Sequence, residues 1–434
     1  MHRRLRAISG ALVAVTLAAC SSSGAPSGGA ASASGASPAA ASASVSAAAA
    51  SSVAASPSSS GSAAASASGS TTASGSTGAS ASAGAAETPL PPPGGSLITG
   101  CAQGATKGPK GETGVPASQV TLTDDEISKV KTGNYKAAIL WHTSGDFVNA
   151  LSRGIKDQFA KLNIQVVSET DANFDAATQA NQVETVMALN PDIVITLVVD
   201  PVSGAQAFRK VTSAGKKLVL ISNVPQGYEH GKDYVGVVSD DFFGMGSSAA
   251  DLMGKALNKT GKVGYIFHDA DYYVTNQRDQ SFKTVLGQCF PNMQVVAQQG
   301  MADPAKGQEI ASAMLTQHPD LNGIYVPWDQ PAEGVVAAIR DSSKKDLKVV
   351  TMDLGANNDL EMAQGGVVYG KAVDLPYEAG ITVATEGAYG MLGKEAPPFA
   401  MVPAIEVTKD NLADAYQQSF RIDPPDAVKK ALGG

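Results

Sequence analysis

Rings and hydrogen-bonding side chains gather in the same few short segments of this chain. Trp141, His142, Ser144, Asp146 and Phe147 stand in one, Asn223 in another, and His268, Asp269, Asp271, Tyr272 and Tyr273 in a third, with Arg278 close behind. Trp328 and Asp329, then Asp353, then Asp374, complete the series. Both of the chain's 2 tryptophans fall in these segments, although an apolar core could have used them anywhere. Aromatic faces cover C–H surfaces, while carboxylates, amides and a guanidinium offer hydrogen bonds of fixed direction. The set therefore suits a small polyhydroxylated molecule. Asp146, Asp269, Asp271, Asp329, Asp353 and Asp374 stand against Arg278 alone, which keeps a second reading open: rings and carboxylates also suit a cationic or amino-bearing compound.

Catalysis is not expected. The 5 histidines include His142 and His268, but there is no GxSxG elbow and no HExxH pair. Carboxylates facing each other across a cleft could act on a glycoside, and Asp353 and Asp374 are the pair such an enzyme would use. No P-loop is present, so any energy source must lie in a partner. No cofactor or metal is expected: Cys20, Cys101 and Cys289 lack the CxxC pairing of a zinc site. A net charge of -8 argues against a nucleic-acid footprint.

A β-α repeat must position these segments. Residues 135–141, YKAAILW, form a continuous apolar run, the pattern of a parallel strand covered on both faces by helices. A helix is expected just before it over 123–131, with Thr123 and Glu126 in capping-box spacing and Gly133 as its stop. Further helices are expected over 147–162, 174–189 and 202–214, alternating with strands over 164–168, 192–199, 218–222 and 234–238. A second set has helices over 243–257, 276–286, 306–317 and 332–340, with strands over 262–267, 293–297, 323–326 and 347–352. The expected class is thus α/β, with two doubly wound, Rossmann-like lobes of parallel strands and right-handed crossovers. Ligands of such sheets sit at the carboxyl ends of the strands, and the segments above are the loops found there.

Residues 1–20 have a basic start (His2, Arg3, Arg4, Arg6) and an apolar run at 7–19, the layout of a secretory signal. The junction Leu17-Ala18-Ala19-Cys20 resembles a bacterial lipobox, which implies a lipid on Cys20 as the mature N-terminus. Residues 21–100 are rich in Ser, Ala, Gly and Pro and are expected to be a tether without a core of their own. Residues 101–134 form an N-terminal extension to the body. In an exported chain Cys101 and Cys289 either pair or remain free thiols.

From residue 135 to about 407 the chain resembles the type I periplasmic sugar-binding proteins of ABC importers, the ribose/galactose-like family. The resemblance rests on residues 140–147, VSDDFFGMG at 238–246, NQRDQSF at 276–282, HPDLNGIYVPWD at 318–329 and KVVTMD at 348–353. It implies two lobes joined by a three-strand hinge, residues 135–240 with 375–403 and residues 241–374 with 404–434. It also implies that Arg278, Asp353 and Asp374 hold sugar hydroxyls and that Phe147 stacks; the position of Trp141, Asn223, Trp328 and Asp329 in loops at strand ends makes them further candidates for ligand contact. The chain departs from ribose-type proteins at Asn223-Val224, where an Asp-Arg pair is usual, and at Trp328, where an Asn is usual. The expected role is that of a monomeric, lipid-anchored, extracytoplasmic binding protein serving an ABC permease with a separate ATPase, with a signalling receptor as the alternative partner. Two-lobed repressors share such a body but carry a DNA-binding headpiece where this chain has a secretion signal.

Overall fold

The computed structural model describes residues 101, 104–270 and 272–434. The signal, Cys20, the tether and Asp271 lie outside these residues.

The first part of the chain runs β1 (Val115–Pro116), α1 (Asp124–Thr132), β2 (Lys136–Trp141), α2 (Asp146–Lys161) and β3 (Gln165–Asp171). It continues through α3 (Ala176–Met187), β4 (Ile193–Thr196), α4 (Pro201–Ser213), β5 (Lys217–Ile221) and β6 (Val237–Asp240). Next come α5 (Phe242–Ala256), β7 (Gly261–His268), α6 (Tyr273–Cys289), β8 (Met293–Met301) and α7 (Gly307–Gln317). After these follow β9 (Gly323–Tyr325), α8 (Asp329–Asp341), β10 (Lys348–Met352), α9 (Ala356–Ala363) and β11 (Val368–Val373). The chain ends with α10 (Pro376–Leu392), β12 (Ala400–Val402), β13 (Ile405–Thr408), α11 (Leu412–Phe420) and α12 (Asp426–Ala431).

Two sheets result, ordered β1-β12-β6-β5-β4-β2-β3 and β13-β11-β10-β9-β7-β8. Each is the floor of one lobe. The chain passes between them after β6, after β11 and after β12. Every pairing within them is parallel except β11 with β13, which is antiparallel. The expectation of wholly parallel sheets fails at that edge for a simple reason. The chain runs from β12 into β13 without a crossover helix, so a strand parallel to its neighbours in one lobe arrives antiparallel in the other.

Local chemistry sets the element ends. Thr123 accepts from the Glu126 amide while the Glu126 side chain accepts from the Thr123 amide, the capping box expected for α1. Asp200 caps α4 ahead of Pro201, whose missing N–H costs nothing at that position. The third strand of the sequence reading stops early, at Thr196, because the Gln179 side chain donates to the Leu197 carbonyl and accepts from the Val199 amide in place of a neighbouring strand.

In the first lobe α2 and α10 cover one face of the sheet and α3 and α4 the other; in the second, α5 packs with α6 on one side and α7 with α8 on the opposite side. The helices approach most closely at glycines. A Cβ on Gly154 of α2 would lie 2.0 Å from the Tyr377 carbonyl oxygen, and one on Gly380 of α10 would lie 2.2 Å from that of Leu151. The same device joins α5 to α6, where a Cβ on Gly246 would meet the Arg278 carbonyl oxygen at 2.2 Å. Gly246 thus fixes the depth at which the Arg278 turn sits. Gly246→Ala is expected to push α6 away, costing about 1–3 kcal/mol of stability as overpacking does, and to weaken ligand binding with it. Denaturant unfolding and ligand titration of that variant check both effects.

Candidate functional site

Three strand ends and one helix deliver charged groups to a common point between the sheets. β6 ends in Asp240, β10 is followed by Asp353, β11 by Asp374, and α6 carries Arg278. The Arg278 guanidinium is 7 % exposed and donates through one Nη to both Asp353 carboxylate oxygens at 3.1 Å. Its Cζ lies 5.7 Å from the centroid of the Phe242 ring. Asp353 takes the left-handed backbone conformation, φ 64°, which aspartate tolerates better than most residues. Asp240 and Asp374 are both 4 % exposed.

Three carboxylates therefore share one base. Asp353, Asp374 and Asp240 together overcome the burial that works against the Arg278 cation and hold its pKa above its ordinary range. Burial, reinforced by Asp353 and Asp241 and opposed by Arg278, pushes Asp240 up to about 7. Burial with Asp353 and Asp240 nearby pushes Asp374 well above the usual carboxylate range. A carboxyl that keeps its proton can donate as well as accept, and the Arg278 Nε, buried without a hydrogen-bond partner, adds a free donor.

Rings flank this polar group. Trp328 packs edge-on against His268 at 5.1 Å between ring centroids, and His268 in turn meets Tyr272 at 6.1 Å. His268 Nδ1 is 2.7 Å from Thr275 Oγ1, and its backbone amide donates to Asp279. Tyr272 lies close to Asn223, which follows β5, and within the field of Arg278, and burial outweighs both in raising its pKa. Asn223 also donates to the Val198 carbonyl at 3.0 Å.

Arg278, Asp353 and Asp374 come together, while Trp328 packs on His268 and Asn223 lies near Tyr272. Phe147 is half-buried in the first turn of α2, packed against the core. Trp141 is not part of the group. It is 2 % exposed, and its indole N–H donates to Ser152 Oγ at 2.9 Å and Glu169 Oε1 at 3.0 Å, so its last position in β2 turns the ring inward. Asp329 is also withdrawn. Its carboxylate accepts from Lys371 Nζ and Asn358 Nδ2, each at 2.8 Å. The wholly buried Lys371 bridges it to the wholly buried Asp359 at 2.6 Å, whose other oxygen accepts from the Tyr416 hydroxyl at 2.7 Å. Asp329 therefore helps neutralise a buried ammonium and has little left for a ligand.

The sequence reading missed Asp240 as a member of the group. The available signal was a strand, VVSD, that ends in an acid at its carboxyl edge.

Buried acids give the empty protein a pH dependence. Glu386 on α10 is fully buried with no hydrogen-bond partner for either oxygen, and burial raises its pKa well above the ordinary value. Each acid with a raised folded-state pKa binds its proton more tightly folded than unfolded, so its contribution is complete below about pH 4 and is lost as pH rises through about 7 for Asp240. Thermal unfolding of the empty protein is expected to show higher stability at acid pH than at pH about 8, and Glu386→Gln to flatten that slope. Unfolding midpoints measured across the range check this.

A model of the periplasmic binding protein domain matches residues 137–394. The chain belongs to the periplasmic binding protein family. Members of that family act outside the cytoplasmic membrane, and the relatives reported next are binding proteins rather than enzymes. The periplasmic binding protein described here is 28% identical over 208 residues to the ribose import binding protein of Bacillus subtilis, a match covering 48% of this chain and 65% of that one. It is 27% identical over 215 residues to the D-ribose/D-allose-binding protein of Pseudomonas aeruginosa, covering 49% and 66%. The chain thus spans about two thirds of the length of these relatives. Its fold is shared with the arabinose binding protein AraP of Geobacillus stearothermophilus, at a TM-score of 0.59 and 21% identity, over 65% of this chain and 99% of that one. Among the described residues, no helix is long and apolar enough to cross a membrane.

Proposed function

We propose that this periplasmic binding protein captures a small sugar or polyol between its lobes and delivers it to an ABC permease energised by a separate ATPase, without itself catalysing a reaction. The observation that carries the reading is the buried Arg278–Asp353 pair with Asp374 and Asp240 beside it, flanked by Trp328, His268 and Tyr272. A guanidinium whose orientation is fixed by a carboxylate presents its remaining donors at set angles, and carboxyls at two other strand ends supply acceptors for vicinal hydroxyls. Rings then cover the ligand's C–H faces. The relatives that bind ribose or allose support the sugar class. Asn223, Phe147 and Trp328 complete the proposed contacts, and the change at Asn223-Val224 separates this pocket from a ribose-type one.

The proposed lobes are residues 135–240 with 375–403 and residues 241–374 with 404–434, closing by a hinge at the crossovers. Lipidation at Cys20, a flexible tether over 21–100 and action as a monomer belong to the same proposal. The excess of acids over Arg278 favours one alternative, an amino-bearing ligand. Calorimetry over pentoses, hexoses, polyols and their amino derivatives tests the reading: a neutral polyol is expected to bind. Failure of every polyol, beside a clear hit from another class, would overturn it.

A further inference from the structure

Besides its three crossovers the body has a fourth tie between the lobes, formed by residues N-terminal to the region that matches the family domain. Cys101 is disulfide-bonded to Cys289 at the end of α6, with Cα atoms 5.5 Å apart. The chain then follows the second lobe. The buried Thr106 hydroxyl donates to Asp241 at 2.6 Å and accepts from the Phe243 amide at 2.7 Å, directly on the first crossover. The Lys107 amide donates to Gln277 Oε1 at 2.9 Å, and its carbonyl accepts from the Tyr273 hydroxyl at 2.6 Å and Gln277 Nε2 at 3.1 Å.

From there the chain changes lobe. Lys110 donates to the Tyr228 carbonyl, and the Val115 amide donates to the Phe399 carbonyl at 2.9 Å. β1 then extends the first lobe's sheet beside β12. Beyond it the Tyr389 hydroxyl holds the Thr121 carbonyl, and Lys394 pairs with Glu126.

We propose that residues 104–116 are a strap that limits how far the lobes part, with the Cys101–Cys289 disulfide as its fastening. Hinge opening moves the first lobe relative to α6, and a segment bonded to both must stretch or detach. The backbone and side-chain bonds to α6 can break and re-form as the lobes move; the disulfide cannot, so it sets the outer limit. An oxidising extracytoplasmic compartment keeps that limit in place. Reduction transfers two electrons and two protons from a thiol reductant to the paired sulfurs and releases the strap at Cys289.

Hydrogen exchange of the full chain without ligand, with and without a thiol reductant, tests this independently of what the cleft binds. Reduction is expected to speed exchange by about tenfold at the cleft-facing backbone of residues 222–224 and 353–355, leaving the central strands of both lobes protected. Tyr273→Phe with Gln277→Ala, the disulfide intact, is expected to speed the same segments by a smaller factor. Unchanged exchange there on reduction would overturn the proposal. So would an even rise through the whole second lobe, which would make the disulfide an ordinary staple.

Discussion

Replacing Arg278 with alanine is expected to lower the affinity for a neutral polyol by about 100-fold or more, as removal of one partner from a buried, hydrogen-bonded charge pair does. The variant loses the donors aimed at the ligand and also leaves Asp353, Asp374 and Asp240 without the cation they surround. Arg278→Lys keeps the charge but not the planar fork, and is expected to recover only part of the affinity. Calorimetric titration of both variants, with unfolding curves to confirm that they are folded, checks the result. The same measurement separates the two ligand classes. An amino-bearing ligand would be held by the acids that Arg278 now neutralises, so its affinity would survive or improve in Arg278→Ala.

Lys371→Met is expected to cost about 3–5 kcal/mol of stability, the scale for stripping one partner from a buried ion pair. Lys371 lies mid-strand in β11, fully buried, between Asp329 and Asp359. Those charges more than offset the burial that works against its ammonium and raise its pKa above the ordinary value. Removing it strands Asp359, which also accepts from Tyr416 on α11 and from the Gly355 amide before α9. The damage should therefore spread to the C-terminal helices. Adding Asp359→Asn to Lys371→Met removes the stranded charge and is expected to restore part of the loss, which chemical denaturation of the single and double variants measures.

The alternation of buried apolar runs with amphipathic stretches made the two-lobed architecture readable, because parallel strands covered on both faces leave continuous runs such as KAAILW. Arg278, Asp353 and Asp374 were readable for a related reason: each follows or faces a strand end, where such sheets hold their ligands. What could not be read was direction. Trp328 and Asp329 are neighbours, yet Trp328 packs on His268 while Asp329 turns away to Lys371, a lysine hidden inside a strand that sequence alone would place at the surface. Trp141 ends β2 at the right edge of the sheet but is drawn into the core by Ser152 and Glu169, one on the next helix and one on the next strand. Asp240 and Asp241 differ for a similar reason. Asp241 is the N-cap of α5 and accepts from Gly244 and Thr106, while Asp240 is left to the Arg278 cluster.

The different fates of the 2 tryptophans give the molecule its own optical reporter. Trp141 is sealed from water and hydrogen-bonded, so its emission is expected to stay constant on binding. Trp328 stands against His268, and on the proposed function a bound molecule would change both the polarity around the indole and its contact with a quenching imidazole. On the proposed function, intrinsic fluorescence of the unlabelled protein would report occupancy through a single indole.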